Sequence, residues 1–222
     1  MQKFDTPTPI SVDLDIPAGR VQFIAADRGD ATVEVLPANA EKGRDVKAAN
    51  KTEVAYDGGV LRIKSPEAKN QYFGPSGAIE VTVQLPAGSR VMARSSCAEF
   101  RGVGRFGDVA FEGAQGVIKI DEVASVRVTA SGGDVSVGRL GGPAQISTGH
   151  GDITIDEAVR GAIVLRTHMG DVSVRAAAGV SASLDAGTGY GRIHNALKNT
   201  DGAADLNIQV TTGHGNIDAR SL

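Results

Sequence analysis

The sequence predicts an all-β protein whose back half stacks short strands into a solenoid. Three observations carry this. Glycine supplies 29 of the 222 residues while Trp is absent and Phe occurs six times, a composition of many sharp turns and few bulky core side chains. Apolar residues fall on alternate positions through roughly the first 90 residues, the spacing that places them on one face of a strand. From Gly107 onward a phrase of the type Gly-Asp-Val or Gly-Asp-Ile recurs roughly every twenty residues, the signature of coils that stack on copies of themselves.

In chain order, Ile10, Val12, Leu14 and Ile16 form the first alternating set. Val21 and Phe23, Val33 and Val35, Val54 and Tyr56, Leu61 and Ile63, and finally Ile79, Val81, Val83 and Leu85 follow. Six strands are expected, with Asp57-Gly58-Gly59 as a hairpin signal between the fourth and fifth. The stretch Ala40 to Asn50 favours one short helix, weakened by Gly43. Glu67 to Gly77, rich in Pro, Gly, Ser and Asn, reads as an exposed loop. A Pro-Ala-Gly phrase between apolar runs occurs twice, at Pro17 and at Pro86, as if two layers start alike. Residues 1–90 are therefore expected to form an N-terminal β layer that caps the solenoid, and residues 91–222 its Gly-rich repeats. All six Phe lie at or before Phe111, so aromatic packing is confined to the front of the chain.

The best copies of the repeat begin at Gly107, Gly133, Gly151, Gly170, Gly191 and Gly215. A second short apolar run falls between them, as in Ile118 and Ile120, Val126 and Val128, Ala144 and Ile146, Ile163 and Leu165, Ala182 and Leu184, and Leu206 to Val210. Strand pairs this short cannot bury an apolar face alone and must stack on neighbours. Stacking in chain order, at the ordinary interstrand distance of ~4.8 Å, lines up Val135, Ile153, Val172, Ile193 and Ile217 as one internal column. Such a core is narrow and has no need of Trp or Phe.

Several classes are excluded by composition. The formal net charge is -3 and Lys and Arg form no dense stripe, so nucleic acid is not an expected partner. No stretch approaches the ~20 apolar residues of a membrane span, and the first residues, Met1 to Pro7, lack the apolar core of a signal peptide. A cytoplasmic location is expected, with surface exposure only through an export route that the sequence does not display. The single cysteine, Cys97, has no internal disulfide partner and is expected to serve as a small buried hydrophobe.

The opening Phe4 to Val12, the turn Leu85-Pro86-Ala87-Gly88-Ser89 and the reiterated Thr-Gly-x-Gly-Asp-Ile/Val phrase resemble the bacterial putative-adhesin family of β-strand-repeat proteins, a family of unknown function. The resemblance covers nearly the whole chain. It implies a right-handed β-solenoid of the β-helix or β-roll type, and it brings no catalytic residue with it.

Three constellations could carry chemistry. Stacking would bring Asp134, Asp152, Asp171, Arg192 and Asn216 to one edge, an arrangement like the acids and bases that pectin-active β-helices place on neighbouring coils. Here each Asp follows a turn glycine, where a carboxylate can accept backbone N–H bonds and build the turn. The histidines His150, His168, His194 and His214 show no paired ligand spacing, so they are expected to be isolated surface imidazoles, and neither a metal nor a cofactor is implied. Thr148, Thr167, Thr188 and Thr212 read as a hydroxyl ladder at strand ends, since no general base recurs beside them. A fourth set is a candidate contact strip. The position before the second glycine of the turn holds His150, Met169, Tyr190 and His214, side chains larger than a minimal turn requires and able to combine apolar area with hydrogen bonds.

The reading that follows is a non-enzymatic binding or scaffold module for a protein or glycan. A carbohydrate-active lyase or hydrolase using the Asp/Arg column, and a structural homo-oligomer joined through the edge after Leu206, remain open alternatives.

Overall fold

The computed structural model describes residues 1–65, 77–199 and 204–222. They divide into two compact units, Met1–Gly116 and Val117–Leu222. Among the described residues no helix is long and apolar enough to cross a membrane. The loop expected over Glu67 to Gly77 lies, apart from Gly77, outside the described residues.

The first unit contains β1 (Gln2–Asp5), β2 (Ser11–Ala26), β3 (Asp30–Pro37), α1 (Gly43–Lys51), β4 (Glu53–Asp57), β5 (Val60–Lys64), β6 (Ile79–Pro86) and β7 (Arg90–Gln115). The two apolar runs at Ile10–Ile16 and Val21–Phe23 are one strand, not two. In β2 the buried positions change phase across Pro17-Ala18-Gly19, from Leu14 and Ile16 to Val21 and Phe23, which marks a corner. Beside it β7 runs parallel, Ser11 opposite Arg90 through Ala25 opposite Gly104, and changes phase at the same place. That corner explains Cys97. Between buried Ser95 and buried Ala98, both Ser96 and Cys97 point to solvent, so the cysteine is exposed and not the buried hydrophobe that strict alternation suggested.

The other edge of β2 pairs in parallel with β5 over residues 11–15 and with β6 over residues 19–26. β6 in turn pairs antiparallel with β3, β3 pairs antiparallel with β1, and β5 pairs antiparallel with β4. The short helix forms where composition favours it. Gly43 stands at its first position, where it interrupts no intrahelical bond, and the buried Asp45 carboxylate accepts the Ala78 N–H at 3.0 Å, tying the helix to the start of β6. The core holds Phe23, Phe100 and Phe111 with ring centroids 5.5 and 5.7 Å apart.

The second unit is the solenoid, and it consists of two parallel ladders. Its strands are β8 (Ile118–Gly132), β9 (Val135–Leu140), β10 (Ala144–His150), β11 (Ile153–Ala158), β12 (Gly161–Met169), β13 (Val172–Ala176), β14 (Ala182–Tyr190), β15 (Ile193–Ala196), β16 (Leu206–His214) and β17 (Ile217–Ser221). β8 serves both ladders, pairing through Ile118–Val123 with β9 and through Val126–Gly132 with β10. The chain then alternates, each Gly-Asp turn leading from one ladder to the other.

Rung order departs from chain order. One ladder runs β9, β11, β13, β17, β15, and the other β10, β12, β16, β14. The chain passes over one place after β13, lays β14 and β15 at the end of the stack, and returns to insert β16 and β17 between. The internal column is therefore Val135, Ile153, Val172, Ile217, Ile193, with the last two exchanged relative to the sequence-based expectation. Among the described residues the free edge belongs to β14 and β15, not to the segment after Leu206. Burial accounts for this order. Leu206, Ile208, Val210, Ile217 and Ala219 are all buried, whereas β15 presents Asn195 at the level of Ala219 and is exposed throughout. A rung covered on both sides needs the more apolar coil, and a polar Asn costs least at the end.

This order can be tested. Val172 is 1% exposed and lies between Ile153 and Ile217, so Val172→Asp buries an unpaired charge and should cost several kcal/mol, comparable with a domain's ~5–15 kcal/mol. Ile193, in the same column but 46% exposed at the end rung, should lose about 1 kcal/mol or less on conversion to Asp. Denaturant titration of both variants is the measurement. Equal losses would show the rung order to be wrong.

Candidate functional site

Each turn between the ladders is built from the same few contacts. A threonine at the end of the incoming strand donates its hydroxyl to the glycine carbonyl of a neighbouring coil: Thr167 to Gly151 at 3.1 Å, Thr212 to Gly170 at 3.0 Å, Thr188 to Gly215 at 3.0 Å, and Thr148 more weakly to Gly133 at 3.5 Å. Thr148, Thr167 and Thr212 are buried. The turn glycine is required by the approach of the next coil. At Gly170, with φ +150°, an added Cβ would stand 2.1 Å from the Gly151 carbonyl oxygen.

The residue after the glycine continues the ladder. Asp134 Oδ1 accepts the Asp152 N–H at 2.9 Å, Asp152 Oδ1 accepts the Asp171 N–H at 2.7 Å, and Asp171 Oδ1 accepts the Asn216 N–H at 2.6 Å. Asn216 Oδ1 accepts the Arg192 N–H at 3.1 Å. Arg192, a donor only, occupies the end rung, where no further coil asks for an acceptor. The three aspartates are thus spaced by coils and each has an oxygen engaged with backbone. Among the described residues no group of three His, Cys, Asp or Glu side chains is placed to hold a metal ion.

Next to this ladder the structure assembles a row of rings. In register, His150 lies opposite Met169, Met169 opposite His214, and His214 opposite Tyr190. The His150 and His168 rings meet edge to face with centroids 6.4 Å apart, and His168 meets His214 at 6.3 Å. Tyr190 stacks on His214 at 4.9 Å with an interplanar angle of 13°. All five side chains are exposed, Met169 at 45% and Tyr190 at 74%.

His168 is the residue that sequence reasoning missed, and the histidines are not isolated: three meet other rings and the fourth meets a carboxylate. Neighbouring rungs hold glycine at its position, Gly149 and Gly213, in the phrases Thr-Gly-His-Gly, while its own rung reads Thr-His-Met-Gly. A Cβ at Gly213 would lie 2.6 Å from the His168 carbonyl oxygen and 3.2 Å from its Nδ1, so the glycine is required by the approach of the two backbones and also keeps clear of the imidazole. The signal was the displaced histidine in an otherwise constant phrase. His194 lies elsewhere, with its Nδ1 3.4 Å from Asp218 Oδ1.

A family model described as Toastrack DUF4097 matches residues 10–221. Solved structures are also similar. One, from Clostridium sporogenes, is named a "putative cell adhesion protein"; it is 12% identical, with 100% of this chain and 98% of that chain covered and a TM-score of 0.43. Two come from Parabacteroides distasonis. A "putative adhesin" is 13% identical, with 98% and 95% covered and a TM-score of 0.47. A "putative lipid binding protein" is 12% identical, with 97% and 95% covered and a TM-score of 0.44. No curated protein matches at a significant level.

The turn ladder makes a prediction of its own. Asp152→Asn keeps the oxygen that receives the Asp171 N–H and should leave the melting temperature nearly unchanged. Asp152→Ala removes that acceptor and should cost about 1 kcal/mol, the usual worth of one such hydrogen bond. Thermal melts of the two variants decide it, and an Asn variant as unstable as the Ala variant would mean that the charge, not the acceptor, is what the turn uses.

Proposed function

The chain belongs to the Toastrack DUF4097 family, and from that premise we propose that it is a non-enzymatic binding module whose contact surface is the row His150, His168, His214 and Tyr190, flanked by Met169. The observation that carries this reading is the contrast along one edge of the solenoid. Threonine hydroxyls and aspartate oxygens are engaged in holding turn to turn. The rings beside them are exposed and adjoin one another. Exposed rings that form a continuous strip offer apolar area with polar tips, the combination that makes Tyr and similar residues effective at contact surfaces. The partner is a protein or a glycan that can lie along a flat strip about four coils long.

A carbohydrate-active enzyme on the same edge would need carboxylates free to move protons. The engagement of Asp134, Asp152 and Asp171 by backbone N–H groups favours the binding reading over it.

The test is a triple variant, His150→Ala, Tyr190→Ala and His214→Ala, compared with the parent for retention on immobilised polysaccharides and for capture of proteins from a bacterial lysate. Circular dichroism and melting should be unaltered and retention lost. A folded triple variant that retains what the parent retains removes the row as the contact surface. Release by the parent of unsaturated uronic products from pectate overturns the non-enzymatic reading.

A further inference from the structure

The exchanged rung order leaves one end of the solenoid as a bare strand edge. β14 pairs with β16 and β15 with β17, and among the described residues neither pairs with a strand on its other side. The edge is covered at its start, where the Ala182 N–H donates to the Lys198 carbonyl at 3.1 Å and the Ser181 hydroxyl bonds Asn199 at 3.1 Å. Beyond that point Ile193 is 46% exposed where Ile217, one rung inward, is buried, Tyr190 is 74% exposed, and every residue of β15 is exposed.

Free edges are usually guarded by charge, and the edges of the first unit follow the rule. β1 and β4, each paired on one side among the described residues, carry Lys3 and Asp5, and Glu53 and Asp57. Along β14 the only charged residue is Asp185, and the next charge is Arg192, just past its other end. Arg192 also marks this rung as a terminus. It puts a donor where Asp134, Asp152, Asp171 and Asn216 each supply the acceptor that a following coil needs. The edge is therefore unsuited to one more coil of the same kind, yet little guarded, with one charge of each sign, Asp185 within β14 and Arg192 just beyond it.

We propose that this edge is a homodimer interface in which β14 of one copy pairs antiparallel with β14 of a second copy. A two-fold contact presents the same patch from both sides. Antiparallel pairing in the register centred between Thr188 and Gly189 sets Asp185 of each copy opposite Arg192 of the other, so each charge finds its opposite and the ion pair is made twice. The same register sets each Tyr190 opposite Gly187 of the other copy, where no side chain intervenes, and gives the open backbone groups at the end of β14 partners. The proposal does not depend on the ring row being a ligand site.

Sedimentation velocity of the full chain over a wide concentration range tests it, with three variants: Asp185→Arg, Arg192→Asp, and both together. Both positions are exposed, and Asp is the residue that the inner turns already carry at the second, so the variants should melt like the parent. The parent should form a concentration-dependent dimer. Each single variant should weaken it about tenfold, as expected for two lost surface ion pairs turned repulsive, and the double variant should restore it. A parent that stays monomeric, a dimer indifferent to either single change, or a double variant no better than the singles overturns the proposal.

Discussion

The contact on which the repeat unit depends is the approach of one turn to the next. Gly170 comes so near the Gly151 carbonyl that no side chain fits between them, and this proximity lets Asp152 reach the backbone N–H of Asp171 and Thr167 reach the Gly151 carbonyl. Four bonding groups that would otherwise be exposed or unpaired at a sharp turn are thereby satisfied between neighbouring coils. The strands then fall into register, Ile153 opposite Val172 and Ile163 opposite Ala144, and a narrow column of β-branched and small residues fills the interior. Large aromatic rings would not fit such a column. They are packed instead in the first unit, where Phe23, Phe100 and Phe111 meet under the bent pair β2 and β7.

The same contact separates structural from available chemistry. The acids of the turn read as a potential active site when written as a column of letters. In three dimensions each carboxylate is bonded to the next coil, and Asn216 can take the fourth place because an amide oxygen accepts as a carboxylate does. The rings one position away carry no such duty. They project where the strand leaves the core, and the middle ring, that of His168, lies beside Gly213, where a side chain would crowd the His168 carbonyl oxygen and Nδ1 alike. Binding function is thus proposed for residues that the turn tolerates, beside residues that the turn requires.

How far the chain could be read without its structure is clearest from individual elements. The all-β class, the short helix after β3 and the solenoid repeat were legible, because alternation, glycine spacing and the Gly-Asp phrase are local properties that backbone geometry translates directly. Of the ring row, His150, Met169, Tyr190 and His214 were legible from one turn position. His168 was not, since it sits one position earlier, where the neighbouring rungs carry Gly149 and Gly213.

What only the tertiary structure decided is the order in which similar pieces stack. The coils Ala182 to Ala196 and Leu206 to Ser221 have the same Thr-Gly-x-Gly turn, and either could follow β13 by local rules. The choice belongs to burial and to hydrogen bonding across coils. A place flanked on both sides takes Ile208, Val210 and Ala219 in preference to Leu184, Ala186 and Asn195, and takes Asn216, which accepts a bond from the next coil, in preference to Arg192, which cannot. The exposure of Cys97 has the same origin, because a corner shared by β2 and β7 shifts the alternation of both strands. Local sequence specifies which residues form strands and turns, whereas the neighbour each strand receives depends on desolvation summed over residues far apart in the chain.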